Sequence, residues 1–276
     1  LSKNEHILSK KGGKRMLPFD KSGNALPFVS IVTVVYNGLA LLEKTAQSIW
    51  AMPDQRFEYI IVDGGSKDGT QDWLQNNEEN IHQWISEPDK GIYDAMNKGQ
   101  AMARGQYVWF LNAGDTVFHP EVLTELFAAR KAPDVFYGET ILVDLHFKTL
   151  GTRSELTTRK LPLRLNWQSM KWGMVVCHQS ILVKRSLAPM YDLTYRCSAD
   201  IEWVINSLKK SEIIHRAQKP ISAYLTGGFS AQRQKECVKE RWAIYKSHYG
   251  FLASAMAYTW ISFRFMWHRL FGGKNY

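Results

Sequence analysis

The chain has 276 residues, 45% hydrophobic and 22% charged, the balance of a soluble globular protein with room for one large domain. Its formal net charge of +9 sits at the ends. Residues 1–28 hold six Lys/Arg against two acidic residues, residues 231–276 hold eight against two, and the stretch between is close to neutral. A nucleic-acid reader lines its binding face with positive charge, so this distribution argues against one and fits flanks resting on an anionic surface such as a membrane leaflet. Three widely separated cysteines with no Cys-x-x-Cys pair argue against a disulfide framework or a structural zinc, and for a reducing compartment. Residues 1–28 lack the apolar core of a secretory signal, and the longest uncharged apolar stretch, 251–263, falls short of the ~20 residues of a spanning helix.

In chain order, residues 1–27 read as a basic, flexible leader. Phe28–Val35 is a β-branched apolar run expected to form a buried parallel strand, broken at Tyr36-Asn37-Gly38. A helix follows over 39–52, then a strand over Phe57–Val62 ending in Asp63-Gly64-Gly65-Ser66. A short helix is expected over Gly69–Asn76, a strand over Gln83–Ser86, a helix over 91–104 and a strand over Tyr107–Leu111. Strand and helix alternate without hairpin signals, which predicts parallel strands joined by helical crossovers. Beyond 119 the pattern loosens. A helix is expected over 120–130, strand–turn–strand over Asp134–Val143, loops or short helices over 150–172, and a strand over Val175–Val183 carrying Cys177-His178-Gln179. Further on come a helix over 199–210, one or two strands over 212–225, and a helical tail from 230.

Ligands of open α/β sheets bind outside the carboxyl ends of the strands. Neither Gly-x-Gly-x-x-Gly nor a phosphate-binding Gly-x-x-x-x-Gly-Lys-Ser/Thr loop follows the first strand, which lowers dinucleotide enzymes and P-loop NTPases in rank. Polar tips stand there instead: Tyr36-Asn37, Asp63, Asp89, and Asn112 with Asp115. Asp63 suits a base N–H or a cap on the following turn; Tyr36 suits stacking on a base or on the next helix. Lys98 stands four residues after Asp94, the spacing of a helix ion pair, and also suits a phosphate. Asp115 suits a divalent ion shared with two phosphates, the arrangement that neutralises a departing nucleoside diphosphate.

Four ordered motifs carry a resemblance: Ser-Ile-Val-Thr-Val-Val-Tyr-Asn (30–37), Val-Asp-Gly-Gly-Ser-Lys-Asp-Gly-Thr (62–70), Ser-Glu-Pro-Asp-Lys-Gly-Ile-Tyr-Asp-Ala-Met-Asn-Lys-Gly (86–99) and Phe-Leu-Asn-Ala-Gly-Asp (110–115). Over about 28–235 the chain resembles the family 2 glycosyltransferases, and among them the WcaE-like bacterial exopolysaccharide and O-antigen enzymes. The resemblance implies an α/β GT-A fold, with a mostly parallel central sheet flanked by helices and a helical C-terminal extension. It implies a nucleotide-diphosphate sugar donor (UDP-sugar favoured), a divalent cation (Mg²⁺ or Mn²⁺) and inversion at the anomeric carbon. Residues 28–118 would form the nucleotide-sugar half, 119–230 the acceptor half, and 231–276 a membrane-interface tail.

By the same resemblance, Thr33, Tyr36, Asp63, Asp89, Asp94, Lys98 and Asn112 would hold the donor, and Asp115 the metal. Asn112 and Gly114 stand where many relatives carry Asp, so fewer carboxylates are offered. The general base would be Asp200, at the start of a helix, with Glu202 in reserve. His178 and Gln179 would meet the acceptor or its phosphate, and His178 alternatively the metal or only the core. Gly227-Gly228-Phe229-Ser230 matches a family turn. In 251–271, Phe251, Tyr258, Trp260, Phe263, Phe265, Trp267 and Phe271 with Arg264 and Arg269 suit a membrane interface or a packed helix.

The expectation is therefore an inverting transferase on the cytoplasmic face of the plasma membrane, peripheral, acting on a polyprenyl-diphosphate-linked acceptor and able to form a homo-oligomer. Two alternatives remain: a catalytically silent nucleotide-sugar-binding or scaffold subunit, and a glycoside hydrolase with paired carboxylates.

Overall fold

The computed structural model describes residues 9–13, 27–129, 132–227 and 234–271. Strand β1 (Lys10–Gly12) corrects the picture of a wholly flexible leader: it pairs antiparallel with β4 (Gln83–Ser86), adding a strand beyond the parallel group. The remainder of the leader, 1–8 and 14–26, lies outside the described residues.

The first half alternates as expected: β2 (Val29–Val35), α1 (Leu39–Trp50), β3 (Phe57–Asp63), α2 (Thr70–Asn76), β4, α3 (Ile92–Met102) and β5 (Tyr107–Phe110). The four strands β4-β3-β2-β5 are parallel. Every residue of β2 and β3 is buried, because both faces of the sheet are covered. Successive side chains enter opposite layers. Val32, Ile60, Val62, Val108 and Phe110 pack with α3, while Ile31, Tyr59, Ile61 and Trp109 pack with Leu42, Ala46 and Ile49 of α1. Each such aliphatic side chain contributes roughly 1.5–3 kcal/mol of burial free energy. That explains why these strands read as continuous apolar runs.

The second half contains β6 (Thr116–Val117), α4 (Val122–Phe127), β7 (Val135–Tyr137), β8 (Thr140–Val143), β9 (Thr149–Thr152), α5 (Arg153–Leu156), β10 (Ile181–Lys184), α6 (Ala199–Lys209), β11 (Ile214–Arg216) and β12 (Ser222–Leu225). Strand β10 runs antiparallel between β5 and β7, so the large sheet is mixed, in the order β1-β4-β3-β2-β5-β10-β7-β11. A smaller sheet, β6-β12-β8-β9, adds a β8–β9 hairpin that the sequence pattern did not signal.

The strand expected from Val175 begins only at Ile181. His178–Ser180 form a 3-10 turn, closed by the Ser180 N–H donating to the Cys177 carbonyl at 2.9 Å. The turn buries His178, Gln179 and Ser180. The tail forms α7 (Gln234–Tyr249) and α8 (Phe251–Phe271). These dock on a 3-10 helix at Trp167–Trp172, through Tyr249 Oη to the Trp167 carbonyl at 2.7 Å and Arg264 Nη2 to the Trp172 carbonyl at 3.2 Å.

Candidate active site

The parallel register brings the strand tips together: Val35 pairs with Asp63, and Asp63 with Ser86. Asp63 is 0% exposed. Its carboxylate accepts the Ser66 N–H at 3.1 and 3.2 Å, the Ser66 hydroxyl, and the Ser86 hydroxyl at 2.6 Å. Ser66 and Asn37 also join the loops after β2 and β3: the Asn37 N–H donates to Ser66 Oγ at 2.7 Å and the Lys67 N–H to Asn37 Oδ1 at 2.9 Å. Beside them Tyr36 stays 68% exposed. Gly64 makes the space between Tyr36 and Asp89, since a Cβ there would fall 2.5 Å from Asp89 Oδ2 and 3.2 Å from Tyr36 Cδ2. Burial raises the Asp89 carboxyl above its ordinary range, and the charges of Asp94 and Asp63 push the same way, against the Gly91 N–H and Lys98. An exposed ring beside a glycine gap and partly buried carboxylates is suited to a flat, donor-bearing ring system.

At the next tip, Asp115 is buried and bridges the two halves. Its Oδ2 accepts from Gln179 Nε2 at 2.9 Å and its Oδ1 from the Leu225 N–H of β12 at 3.1 Å. Burial pushes its carboxyl up to about 7, against these two hydrogen bonds. The Oδ1 of the neighbouring Asn112 is buried without a hydrogen-bond partner, a costly state for an amide oxygen unless a ligand meets it. Gly114 adopts φ 98°, where any side chain is strained, and a Cβ would lie 3.0 Å from Leu225 Cδ2. The backbone thus explains why no second carboxylate stands at that position.

Asp200 approaches from the other half, on the first turn of α6. Tyr93 Oη, on the first turn of α3, donates to Asp200 Oδ1 at 3.1 Å. Burial raises the Asp200 carboxyl; the Tyr93 hydrogen bond and the Arg241 charge oppose the rise. Asp115 and Asp200 both act on the Tyr224 phenol, whose pKa is raised first by burial and then by Cys177, Asp115 and Asp200. The α6 N-terminus is held by α7: the Arg196 and Cys197 N–H groups donate to the Glu240 carboxylate at 2.7 and 3.0 Å, and Ser198 Oγ to the Cys237 carbonyl at 3.3 Å.

Several candidates fall elsewhere. Thr33 is fully buried and donates its hydroxyl to the Leu111 carbonyl at 2.7 Å, which ties β2 to the end of β5 and leaves no face for a ligand. His178 packs against Phe110, Tyr191 and Trp203, with Nε2 2.7 Å from Tyr191 Oη. Burial lowers its pKa to about 3, so the ring is neutral where it stands among these aromatic side chains. Gln179 reaches only Asp115 and Cys177, and positions the former. Glu202 lies 3.8 Å from His248 Nε2 and near Asp192, away from Asp115. The Lys98 ammonium sits 3.0 Å from Glu87 Oε1, 3.0 Å from the Pro88 carbonyl and 3.7 Å from Asp94 Oδ2, so its main partner is Glu87. Asp94 also accepts the Lys90 N–H at 3.0 Å. Gly228, Phe229 and Ser230 lie outside the described residues.

This architecture is the GT-A fold, and its solved neighbours are glycosyltransferases of that fold. TarS from S. aureus, solved with UDP-GlcNAc, superimposes with a TM-score of 0.63 at 13% identity over 88% of this chain and 73% of that one. Glucosyl-3-phosphoglycerate synthase from Mycobacterium tuberculosis, solved with Mn²⁺ and UDP, gives 0.58 at 15% identity over 84% and 82%. Residues 30–188 match the family described as Glycosyl transferase family 2, more than half of the chain, and the chain belongs to that family. An uncharacterized glycosyltransferase of M. tuberculosis is 32% identical over 186 residues, 66% of this chain and 69% of the relative. The putative teichuronic acid biosynthesis glycosyltransferase TuaG of Bacillus subtilis is 40% identical over 95 residues, 33% of this chain and 38% of TuaG.

Proposed function

We propose that the chain is an inverting transferase. It moves a sugar from a nucleotide-diphosphate donor, UDP-linked by preference, to a lipid-linked saccharide in bacterial surface polysaccharide synthesis (exopolysaccharide, capsule or O-antigen). The observation that carries this reading is Asp200 fixed by the Tyr93 hydroxyl at the start of α6, with Asp115 after β5 joined to the second half through Gln179 and Leu225. Asp200 has a raised pKa and a fixed oxygen, the properties of a general base for an acceptor hydroxyl. As the acceptor oxygen bonds to the anomeric carbon, its proton passes to Asp200, and the bond from that carbon to the diphosphate breaks with its electron pair leaving on the nucleotide. TarS with UDP-GlcNAc and the synthase with UDP support the donor class, and TuaG the polysaccharide setting.

Tyr36 would stack on the base, Asp63 would brace the loop beneath it through Ser66 and Ser86, and Asp89 would border the sugar nucleotide. The residues present fit a divalent cation held largely by ligand oxygens, because Asp115 offers one carboxylate and Asn112 a partnerless amide oxygen. Among the described residues no group of three His, Cys, Asp or Glu could hold one alone. Bound there, Mg²⁺ or Mn²⁺ would neutralise the charge of the diphosphate; Mn²⁺ accompanies UDP in the synthase.

No described helix is long and apolar enough to cross a membrane. Helix α8 instead leaves Leu252, Met256, Trp260, Phe263 and Trp267 exposed at helical spacing, which supports peripheral contact with a leaflet.

A melting-point screen of nucleotide sugars with and without Mn²⁺, followed by transfer to a polyprenyl-diphosphate-linked saccharide, tests the reading. A product of inverted configuration is expected. Retained configuration would reject the inverting mechanism, and donor binding without transfer to any such acceptor would favour a silent binding subunit.

A further inference from the structure

Helix α3 meets the second half of the chain through one polar stripe. Tyr93, Asn97 and Gln100 stand at i, i+4 and i+7, the spacing that puts side chains on one helix face. Tyr93 Oη donates to Asp200 Oδ1 at 3.1 Å. Gln100 Nε2 donates to the Ala188 and Pro189 carbonyls at 3.1 and 2.9 Å, and its Oε1 accepts from Trp203 Nε1 at 3.3 Å. Asn97, between them, spends both ends of its amide on a single residue. Its Nδ2 donates to the Tyr191 carbonyl at 2.9 Å, and its Oδ1 accepts the Tyr191 N–H at 2.7 Å.

That pairing copies an antiparallel ladder, in which two facing residues exchange both main-chain bonds. A side-chain amide offers a donor and an acceptor side by side, as a peptide group does. Tyr191 depends on it, because residues 185–198 connect β10 to α6 without helix or strand, and Tyr191 is only 3% exposed. A buried main-chain group without a partner costs stability. Fixing the Tyr191 main chain also fixes its ring. The ring stacks on Tyr93, with centroids 5.5 Å apart and planes at 21°, and on Trp203 of α6, at 5.5 Å and 8°. A continuous series of contacts thus runs from Asn97 through Tyr191 to the Tyr93 ring, whose hydroxyl holds Asp200.

We infer that Asn97 is a positioning residue for the general base: by clamping the Tyr191 main chain it sets the Tyr93 ring, and so the orientation in which Asp200 meets the acceptor hydroxyl. The inference rests on the transferase reading of Asp200. Neither bond of Asn97 reaches Tyr36, Asp63 or Asp89, so donor binding should be spared.

The experiment compares the full chain as wild type, Asn97→Ala, Tyr93→Phe and the double variant. Asn97→Ser, whose hydroxyl can keep one of the two bonds, replaces Asn97→Ala should that variant fold poorly. In Asn97→Ala, kcat per folded protein is expected to fall on the order of tenfold, the scale of a slightly displaced reacting group, with donor KM within about twofold. Because Asn97 acts through the Tyr93 phenol, the double variant should lose no more than the more impaired single variant. A merely structural role would lower the melting point and leave that split and that coupling unmoved.

A second readout needs no substrate. Burial raises the Asp200 carboxyl and the Tyr93 hydrogen bond opposes the rise, so a loosened Tyr93 should move the Asp200 titration, followed by carboxyl NMR, to higher pH in Asn97→Ala. The other groups acting on Asp200 are Arg241 and Tyr245 of α7, Tyr224 of β12 and Tyr191, and all are retained in every variant. Unchanged kcat in the Asn97 variants, a loss confined to donor KM, or losses that multiply in the double variant would overturn the inference, and so would an Asp200 titration that stays in place. If wild type transfers sugar to no acceptor, the transferase reading falls instead, and the Asp200 titration alone then decides whether Asn97 acts on that carboxyl.

Discussion

Asp63 and Asp115 are both buried carboxylates at the tips of parallel strands, yet their surroundings differ. Asp63 is held by two serine hydroxyls and an N–H from loops of its own half. Asp115 takes its hydrogen bonds from the other half, from Gln179 and the Leu225 N–H, and burial still leaves its carboxyl at about 7. A carboxylate satisfied locally is a preformed receptor whose shape does not wait for a ligand. One left short of partners beside an orphaned Asn112 oxygen is completed by what binds. On the proposed reading, the nucleotide side would be built in advance, while the reacting side would depend on the two halves meeting and on a charged ligand.

Substitutions can break this contrast. The largest effect is expected for Asp200→Asn: transfer should fall by roughly 10²–10⁴-fold, with donor Kd nearly unchanged, since the base belongs to the reacting side only. Steady-state rates and donor titration read this, and equal loss of donor binding would place Asp200 in the nucleotide pocket. Gly64→Ala acts on the preformed side. Its Cβ, 2.5 Å from Asp89 Oδ2, should raise donor KM on the order of tenfold while leaving kcat within about threefold. A fall in kcat with KM unchanged would show that the gap serves the reaction and not the donor.

Tyr93→Phe is the finest probe. Asp200 must be ionised to accept a proton, so activity falls as pH drops through its folded pKa, which burial has raised and Tyr93 holds down. Without the phenol the pKa rises further, and the acid limb of kcat/KM should move to higher pH. A limb that stays in place would separate Asp200 from the pH-dependent step.

The parallel core was legible because strands buried on both faces must be continuously apolar, and the nucleotide-side residues lay within ten residues of each strand end. Tyr93 stood inside the third motif, as the second residue of α3, yet its purpose appears only when α6 brings Asp200 against it. A hydroxyl in an apolar strand looks alike in sequence whether it meets a ligand or, as Thr33 does here, the Leu111 carbonyl. The same holds for His178, a polar ring whose surroundings are three aromatic side chains distant in sequence or across a turn.

The amino-acid order by itself determined the alternating α/β frame, the family and the polar strand tips, because periodicity and short motifs are local properties. Only the tertiary structure decided that Gln179 and Leu225 hold Asp115 and that Tyr93 holds Asp200. Those arrangements join residues up to 110 positions apart, and no local pattern encodes which distant groups the packed core will bring within reach.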